Sequence, residues 1–397
     1  MPNHHQTITK LSLVKNEKHK KNGAAALAKA AHRYGFTAVE QGYFISSSGR
    51  GTQVRRKKHH SSPSGGEGET EVPVTDISSD LEYVVSVGVG TPSIQMQLDF
   101  DTGSSDLWVW SSEYKGTGTS GHAIYNPAKS TTAKRQTGST WSISYGDGSM
   151  ASGDVYTDSV ALGSITIPNQ AIELASKLSS SFLQGGSDGL LGLAWPSINT
   201  VTPNAVATPV ENMINEKLIN SSIFSVKLTK GGVDGFYTFG EIDSSVTNEP
   251  ILYAPVDNSQ GFWSFPSTTF TVNGESQTLD GGSAIADTGT TLMLLPDSAV
   301  TAIYDAIPGA KLDSSQGGYV YPASATIPSL TFAVGDNFFT LNAEDFAYGD
   351  ATDGFVFGGI QSAGNLGFSI FGDIFLKSVY VVFDQGSSRI GMAQRSD

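Results

Sequence analysis

The chain has 397 residues, of which 16% are charged; it contains 45 glycines and no cysteine, and its formal net charge is −14 at pH 7. Without cysteine, disulfides, thiol catalysis and cysteine-ligated zinc are all excluded, while the compartment stays open because a chain with room for two or three cores needs no bridges. No apolar run reaches the length of about eighteen residues that a membrane helix needs, so no membrane partner is expected.

The chain starts polar (MPNHH), and the apolar stretch near Leu11 and Val14 is too short for a signal-peptide core. Either the true start lies upstream or export by that route is not expected. Residues 1–70 carry 12 Lys and Arg against 4 Asp and Glu, a net of +8, and the remainder carries 12 against 34, a net of −22. Such a split fits a disordered basic tail, or a basic segment that lies on an acidic body and neutralises part of it. Nucleic acid is not an expected partner, since the body would repel phosphate.

Residues 23–33 (GAAALAKAAHR) are Ala-rich, which predicts a helix. Residues 49–70 combine Arg55-Arg56-Lys57-Lys58 with a Ser, Pro and Gly run, a flexible linker open to proteolysis. From about Glu71 the texture changes to short alternating strands, for example residues 81–87 and 95–100. Within this body helices are expected only at residues 208–218 and 297–307, so the fold class is all-β with few short helices. His122 has no partner near it in sequence and is expected in a loop; the other six histidines lie within residues 1–60.

The most informative feature is an internal repeat. Phe100-Asp101-Thr102-Gly103-Ser104-Ser105 recurs 186 residues later as Ala286-Asp287-Thr288-Gly289-Thr290-Thr291. Each copy follows a short apolar strand and leads into another. A second motif follows in register: Leu190-Leu191-Gly192 ends 91 residues after Asp101, and Ile370-Phe371-Gly372 ends 85 residues after Asp287. Two motifs in the same order at nearly the same offset imply two similar lobes about a pseudo-twofold axis, which would bring the Asp loops together.

That juxtaposition has definite chemistry. Gly103 and Gly289 are expected to allow close approach and unusual φ values. Thr102 and Thr288 are expected to hydrogen-bond between the loops, and Ser104 and Thr290 to bond the outer carboxylate oxygens. Two adjacent carboxyls cannot both ionise cheaply, so Asp101 and Asp287 would hold one proton between them. The ionised one could take a proton from water while the other polarises a peptide carbonyl, and neither step needs a cofactor or metal.

DTGSSDLWVW, SYGDGS, DGLLGLA, GFWSF, IADTGTTLMLLP, FGGIQS and FGDIFL together resemble the pepsin-like aspartic protease family, above all its secreted fungal members, over about residues 81–391. The resemblance implies a bilobal, pseudo-twofold β fold with a flap over a long cleft, and an aspartic endopeptidase made as a zymogen. It implies residues 1–70 as propeptide and activation linker, acting as an intramolecular inhibitor, with lobes at 71–250 and 251–397. Asp101 and Asp287 resemble the catalytic aspartates. Tyr145, Gly146 and Asp147 resemble the flap, Trp108 the buttress of its tyrosine, and Phe182 and Leu190 walls of the pocket before the scissile bond. Asp147 could pair with a lysine there. Arg33, or else Lys29, is expected against the aspartate pair. The implied partners are protein or peptide substrates, the protein is expected to be monomeric, and its location extracellular with the vacuole as alternative. The family's usual second-lobe disulfide has no cysteines here, Ala323 and Val356 standing in their places. A binding protein that had lost catalysis would show a damaged loop or flap, and a glycoside hydrolase would not need matching D-T-G loops.

Overall fold

The computed structural model describes residues 10–15, 22–36, 43–44, 55–56, 83–144, 150–183, 186–230, 234–352 and 354–395. The D-T-G repeat of the sequence is a repeat of topology. In the first copy, strand Ile94–Asp101 pairs parallel with Gly189–Gly192, which pairs antiparallel with Leu107–Trp110, which pairs parallel with Ile165–Leu178. In the second, Ser283–Ala286 pairs parallel with Ser369–Phe371, which pairs antiparallel with Met293–Leu295, which pairs parallel with Ile360–Ser362. Each Asp loop therefore leaves one strand of a parallel pair and returns on the far side of its partner.

The first set belongs to an eight-stranded sheet and the second to a five-stranded one. A six-stranded antiparallel sheet draws on both halves, with Ile223–Lys227 hydrogen-bonded to Val379–Asp384. Strand Lys10–Ser12 extends that sheet at its edge against Phe236–Phe239, and Val14–Lys15 extends the eight-stranded sheet against Tyr83–Val89. The basic N-terminal segment is thus built into both sheets by backbone hydrogen bonds. The Lys10 ammonium adds an ion pair with the buried Asp243.

Trp108, Trp110, Trp263, Phe100, Phe224 and Phe265 fill the core, each under 2% exposed. Burying a side chain of this size is worth about 1.5–3 kcal/mol. Every residue of strands Leu107–Trp110 and Gly189–Gly192 is buried, because both faces of these strands are covered.

Helix α1 spans Gly23–Arg33, matching the expectation from its alanines. Asn22 Oδ1 accepts from Ala25 N at 3.0 Å and caps the start. Gly35, at φ +71°, ends the helix: its N–H bonds His32 O, and Phe36 N bonds Ala31 O. That pair of bonds is a Schellman closure, with Phe36 and Ala31 buried in one apolar cluster. The cluster, which holds Leu27 and Ala30 as well, packs on Ile285, Leu294, Tyr348 and Ile370 of the second half.

Helix α2, Pro209–Asn215, is shorter than the expected 208–218. Thr208 Oγ1 accepts from Glu211 N at 3.4 Å and caps its start, but Lys217 takes φ +56° and closes the helix with a second Schellman pattern. Nothing in a lysine announces that conformation. Helix α3, Asp297–Asp305, ends two residues early, and the one-turn helix α4, Asp373–Leu376, was not expected. Most of the expected linker lies outside the described residues. Within it, Arg55–Arg56 forms a two-residue strand against Tyr43–Phe44, a departure from the flexible reading that rests on backbone pairing. Ala323 and Val356 lie on a pair of antiparallel segments joined by the ladder, with Val356 opposite Tyr321 and Ala323 N bonded to Gly354 O at 2.9 Å.

Candidate active site

Asp101 closes strand Ile94–Asp101, and Asp287 directly follows Ser283–Ala286. Both are fully buried. The two loops are tied by a reciprocal lattice: Thr102 N donates to Thr288 Oγ1 at 3.1 Å, and Thr288 N donates to Thr102 Oγ1 at 2.9 Å. Each hydroxyl also donates across to the strand of the opposite loop, Thr102 Oγ1 to Ala286 O at 2.9 Å and Thr288 Oγ1 to Phe100 O at 2.7 Å. Four buried bonds with matched partners fix the loops relative to one another.

The carboxylates are held symmetrically. Gly103 N donates to Asp101 Oδ1 at 2.8 Å and Gly289 N to Asp287 Oδ1 at 3.0 Å. Ser104 Oγ donates to Asp101 Oδ2 at 2.5 Å, and Thr290 Oγ1 donates to Asp287 Oδ2. These are the contacts expected from the sequence. The expectation of unusual φ at Gly103 and Gly289 is corrected, since neither has a positive φ. They are glycines because a Cβ would collide: at Gly103 with the Asp287 carboxylate, at Gly289 with that of Asp101. Gly192 and Gly372, the second-motif glycines, are likewise pressed against the backbone of loop residues Ser104 and Thr290.

Helix α1 ends over this pair. Arg33 Nη2 donates to both oxygens of Asp101 at 2.7 Å, and Nη1 reaches Gly289 O at 3.3 Å and lies 3.8 Å from Asp287 Oδ2. The Tyr34 hydroxyl donates to Asp287 Oδ2 at 2.5 Å, its ring against Phe262 and Phe368. Lys29, the alternative to Arg33, bears on Asp373 instead. Burial works against a charge on either carboxyl. For Asp101 the Arg33 guanidinium, with Ser104 and Gly103, outweighs it and holds the carboxyl below its usual range. For Asp287, burial and the neighbouring Asp101 charge prevail over Arg33, and the carboxyl is pushed up. The arrangement favours Asp101 ionised and Asp287 protonated.

Trp108 is buried, stacked on Trp141 with ring centroids 6.1 Å apart, and Phe182 meets it edge-on at 5.1 Å. Leu190 lies opposite Trp108 and alongside Asp99, two residues before Asp101. The three apolar residues are thus gathered beside the first loop. Tyr145, Gly146 and Asp147 lie outside the described residues; the strands that flank them, Lys134–Ser144 and Met150–Leu162, form a hairpin with Ser144 opposite Met150. His122 does have partners, all distant in sequence: its ring stacks on Trp110 at 4.3 Å and Nδ1 lies 3.1 Å from Ser187 O. Tyr34 had no role assigned from sequence, and its position next to Arg33 was the signal available.

Residues 82–395 match the family model described as eukaryotic aspartyl protease. Aspergillopepsin-1 of Aspergillus oryzae is 48% identical over 326 residues, 82% of each chain. Endothiapepsin of Cryphonectria parasitica is 45% identical over 333 residues, 82% of this chain and 78% of the relative. Penicillopepsin-1 of Penicillium janthinellum is 46% identical over 324 residues, 81% of this chain and 98% of the relative. Among solved structures, an aspartic proteinase from Irpex lacteus superposes with a TM-score of 0.66 at 27% identity, covering 79% of this chain and 94% of the other.

Proposed function

The chain belongs to the eukaryotic aspartyl protease family and is an aspartic endopeptidase acting on protein substrates, and from that premise we propose that Asp101 and Asp287 are its catalytic pair and that residues 1–70 hold it latent. Asp101, ionised, takes a proton from a water molecule as that water attacks the scissile carbonyl. Asp287, protonated, donates to the carbonyl oxygen and stabilises the charge developing there. Collapse of the tetrahedral species breaks the C–N bond, with a proton delivered to the leaving amine. Gly103 and Gly289 keep the carboxylates close, while the Thr102 and Thr288 lattice and the Ser104 and Thr290 hydroxyls keep them oriented. Trp108, Phe182 and Leu190 line the pocket before the scissile bond, under a flap carrying Tyr145, Gly146 and Asp147.

The observation that carries the latency is the Arg33 guanidinium lying across both carboxylates, in the place an attacking water needs. The division into 1–70, 71–250 and 251–397 belongs to the same proposal, supported by one copy of the Asp-loop topology on either side of residue 250. With both copies on one chain the site is complete in a monomer. Secretion is the location we favour, with the vacuole as alternative; no helix among the described residues is long and apolar enough to cross a membrane. The test follows mass and activity together after the purified full-length chain is shifted from neutral pH to acid. Activity is expected to rise only as residues 1–70 are lost. Full activity at once, with the segment still attached, would leave it as a mere tail.

A further inference from the structure

Behind the Asp101 loop lies a second pair of acids that peptide hydrolysis does not use. Asp106 is five residues after Asp101, and Glu173 sits on strand Ile165–Leu178; each is 1% exposed. Asn199 Nδ2 bridges them, 3.2 Å from Asp106 Oδ1 and 3.0 Å from Glu173 Oε1, and also donates to Ser105 O at 3.2 Å. Thr200 adds its N–H and its hydroxyl to Asp106 Oδ1, both at 2.9 Å. The remaining oxygens, Asp106 Oδ2 and Glu173 Oε2, are buried and meet no N–H or O–H donor among the described residues. Yet the two side chains are within hydrogen-bond reach of one another. Two carboxylates cannot make that bond unless one carries a proton, and one proton supplies the missing donor.

The segment from Gly192 to Val201 clamps the back of the catalytic loop. Leu193 N donates to Asp101 O, Ala194 N to Ser104 O and Gly192 N to Asp106 O, and Ser105 Oγ donates to Trp195 O. Asn199 and Thr200 fasten the far end of this clamp to the acid pair. We propose that Asp106 and Glu173 hold one proton between them, that the protonated pair positions the Asp101 loop through Asn199 and Thr200, and that loss of this proton sets the upper pH limit of the folded, active protein.

Among the described residues, no cation is found to pair with a second negative charge here. The clamp, GLAWPSINTV, contains no ionisable residue. The residues in register with Glu173 on its neighbouring strands are Trp108 and Val155. The catalytic loop contributes only Asp101, itself negative. Burial, reinforced by the partner acid, pushes the Glu173 carboxyl well up, and burial pushes Asp106 up as well. Below the ordinary carboxyl range folded and unfolded chains both keep the proton. Above it the unfolded chain has lost the proton and the folded chain has not, so the folded-to-unfolded ratio falls about tenfold per pH unit until the folded pair ionises.

Glu173→Gln removes the titration and keeps a donor facing Asp106. The full-length variant and wild type are melted at pH values from about 5 to 9 and, in parallel, held at each pH, returned to acid and assayed. For E173Q we expect acid activity within about threefold of wild type, a melting temperature that falls less steeply with pH, and a midpoint of alkaline inactivation at least about one pH unit higher. Glu173→Ala, which drops the Asn199 anchor, should melt lower at every pH. Coincident pH profiles for E173Q and wild type would overturn the proposal. If E173Q does not fold, Asp106→Asn, which keeps an acceptor for Thr200 and gains a donor toward Glu173, decides on the same readout. Only the assay arm rests on Asp101 being catalytic; the melting arm tests the pair by itself.

Discussion

Replacing Arg33 with glutamine in the full-length chain should unlatch the site without altering the two Asp loops. The guanidinium makes two bonds of 2.7 Å to Asp101 and one of 3.3 Å to Gly289 O, with its side chain 10% exposed. Removing one partner of a buried ion pair costs about 3–5 kcal/mol. Because water can enter once the segment lifts, the lower end applies, and about 3 kcal/mol is about a hundredfold in the docked-to-undocked ratio. The Asp101 carboxyl is lowered in the docked state, so its contribution to docking is complete above the ordinary aspartate value of about 3.9 and is lost as the pH falls through the depressed one. Asp287 is raised and opposes this over the range above its ordinary value. Acid release of the wild-type segment therefore belongs below the usual carboxylate range, whereas R33Q should release above it. At about pH 5 the assay is cleavage of a short quenched peptide during the first minute, with the mass of the chain read alongside. We expect early activity and segment loss at least tenfold above wild type. Equal rates within twofold would refute Arg33 as the block.

Two further outcomes follow. Gly103→Ala places a Cβ 2.5 Å from Asp287 Oδ1, and displacing a reacting group by about 1 Å costs about a hundredfold in rate, so kcat should fall by that order with a small change in melting temperature. In a peptide library, the wild-type chain should accept lysine before the scissile bond better than Asp147→Ala does, with apolar residues cut equally by both; equal lysine cleavage would remove Asp147 from substrate selection.

The geometry of the two Asp loops was legible in the sequence because it is repeated there. Two D-T-G loops and two hydrophobic-Gly motifs at matched offsets specify which strands pair, and the hydroxyls at Thr102, Ser104, Thr288 and Thr290 can satisfy only what lies within one turn of the loops. Helix α1 was legible from its alanines. Less was visible where the determinant is a long-range contact or a backbone state without its own residue type. Lys217 ends helix α2 in a conformation typical of glycine. Nothing near Glu173 in sequence announces its partners, because Asn199 and Asp106 reach it only through the fold. His122 found its partners 12 residues back at Trp110 and 65 residues on at Ser187, and the glycines of the loops proved to be needed for closeness instead of for φ.

The central claim is that Asp101 and Asp287 do the chemistry, and it is tested most directly by turnover of a denatured protein by Asp101→Asn and Asp287→Asn. Each full-length variant is acidified, freed of residues 1–70 by a trace of wild-type enzyme, and repurified before assay. Neither amide can alternate between accepting and donating a proton, so both variants should retain wild-type melting behaviour within a few degrees and lose at least about a thousandfold in kcat/KM, about 4 kcal/mol of barrier. Turnover within tenfold of wild type in either variant would contradict the account.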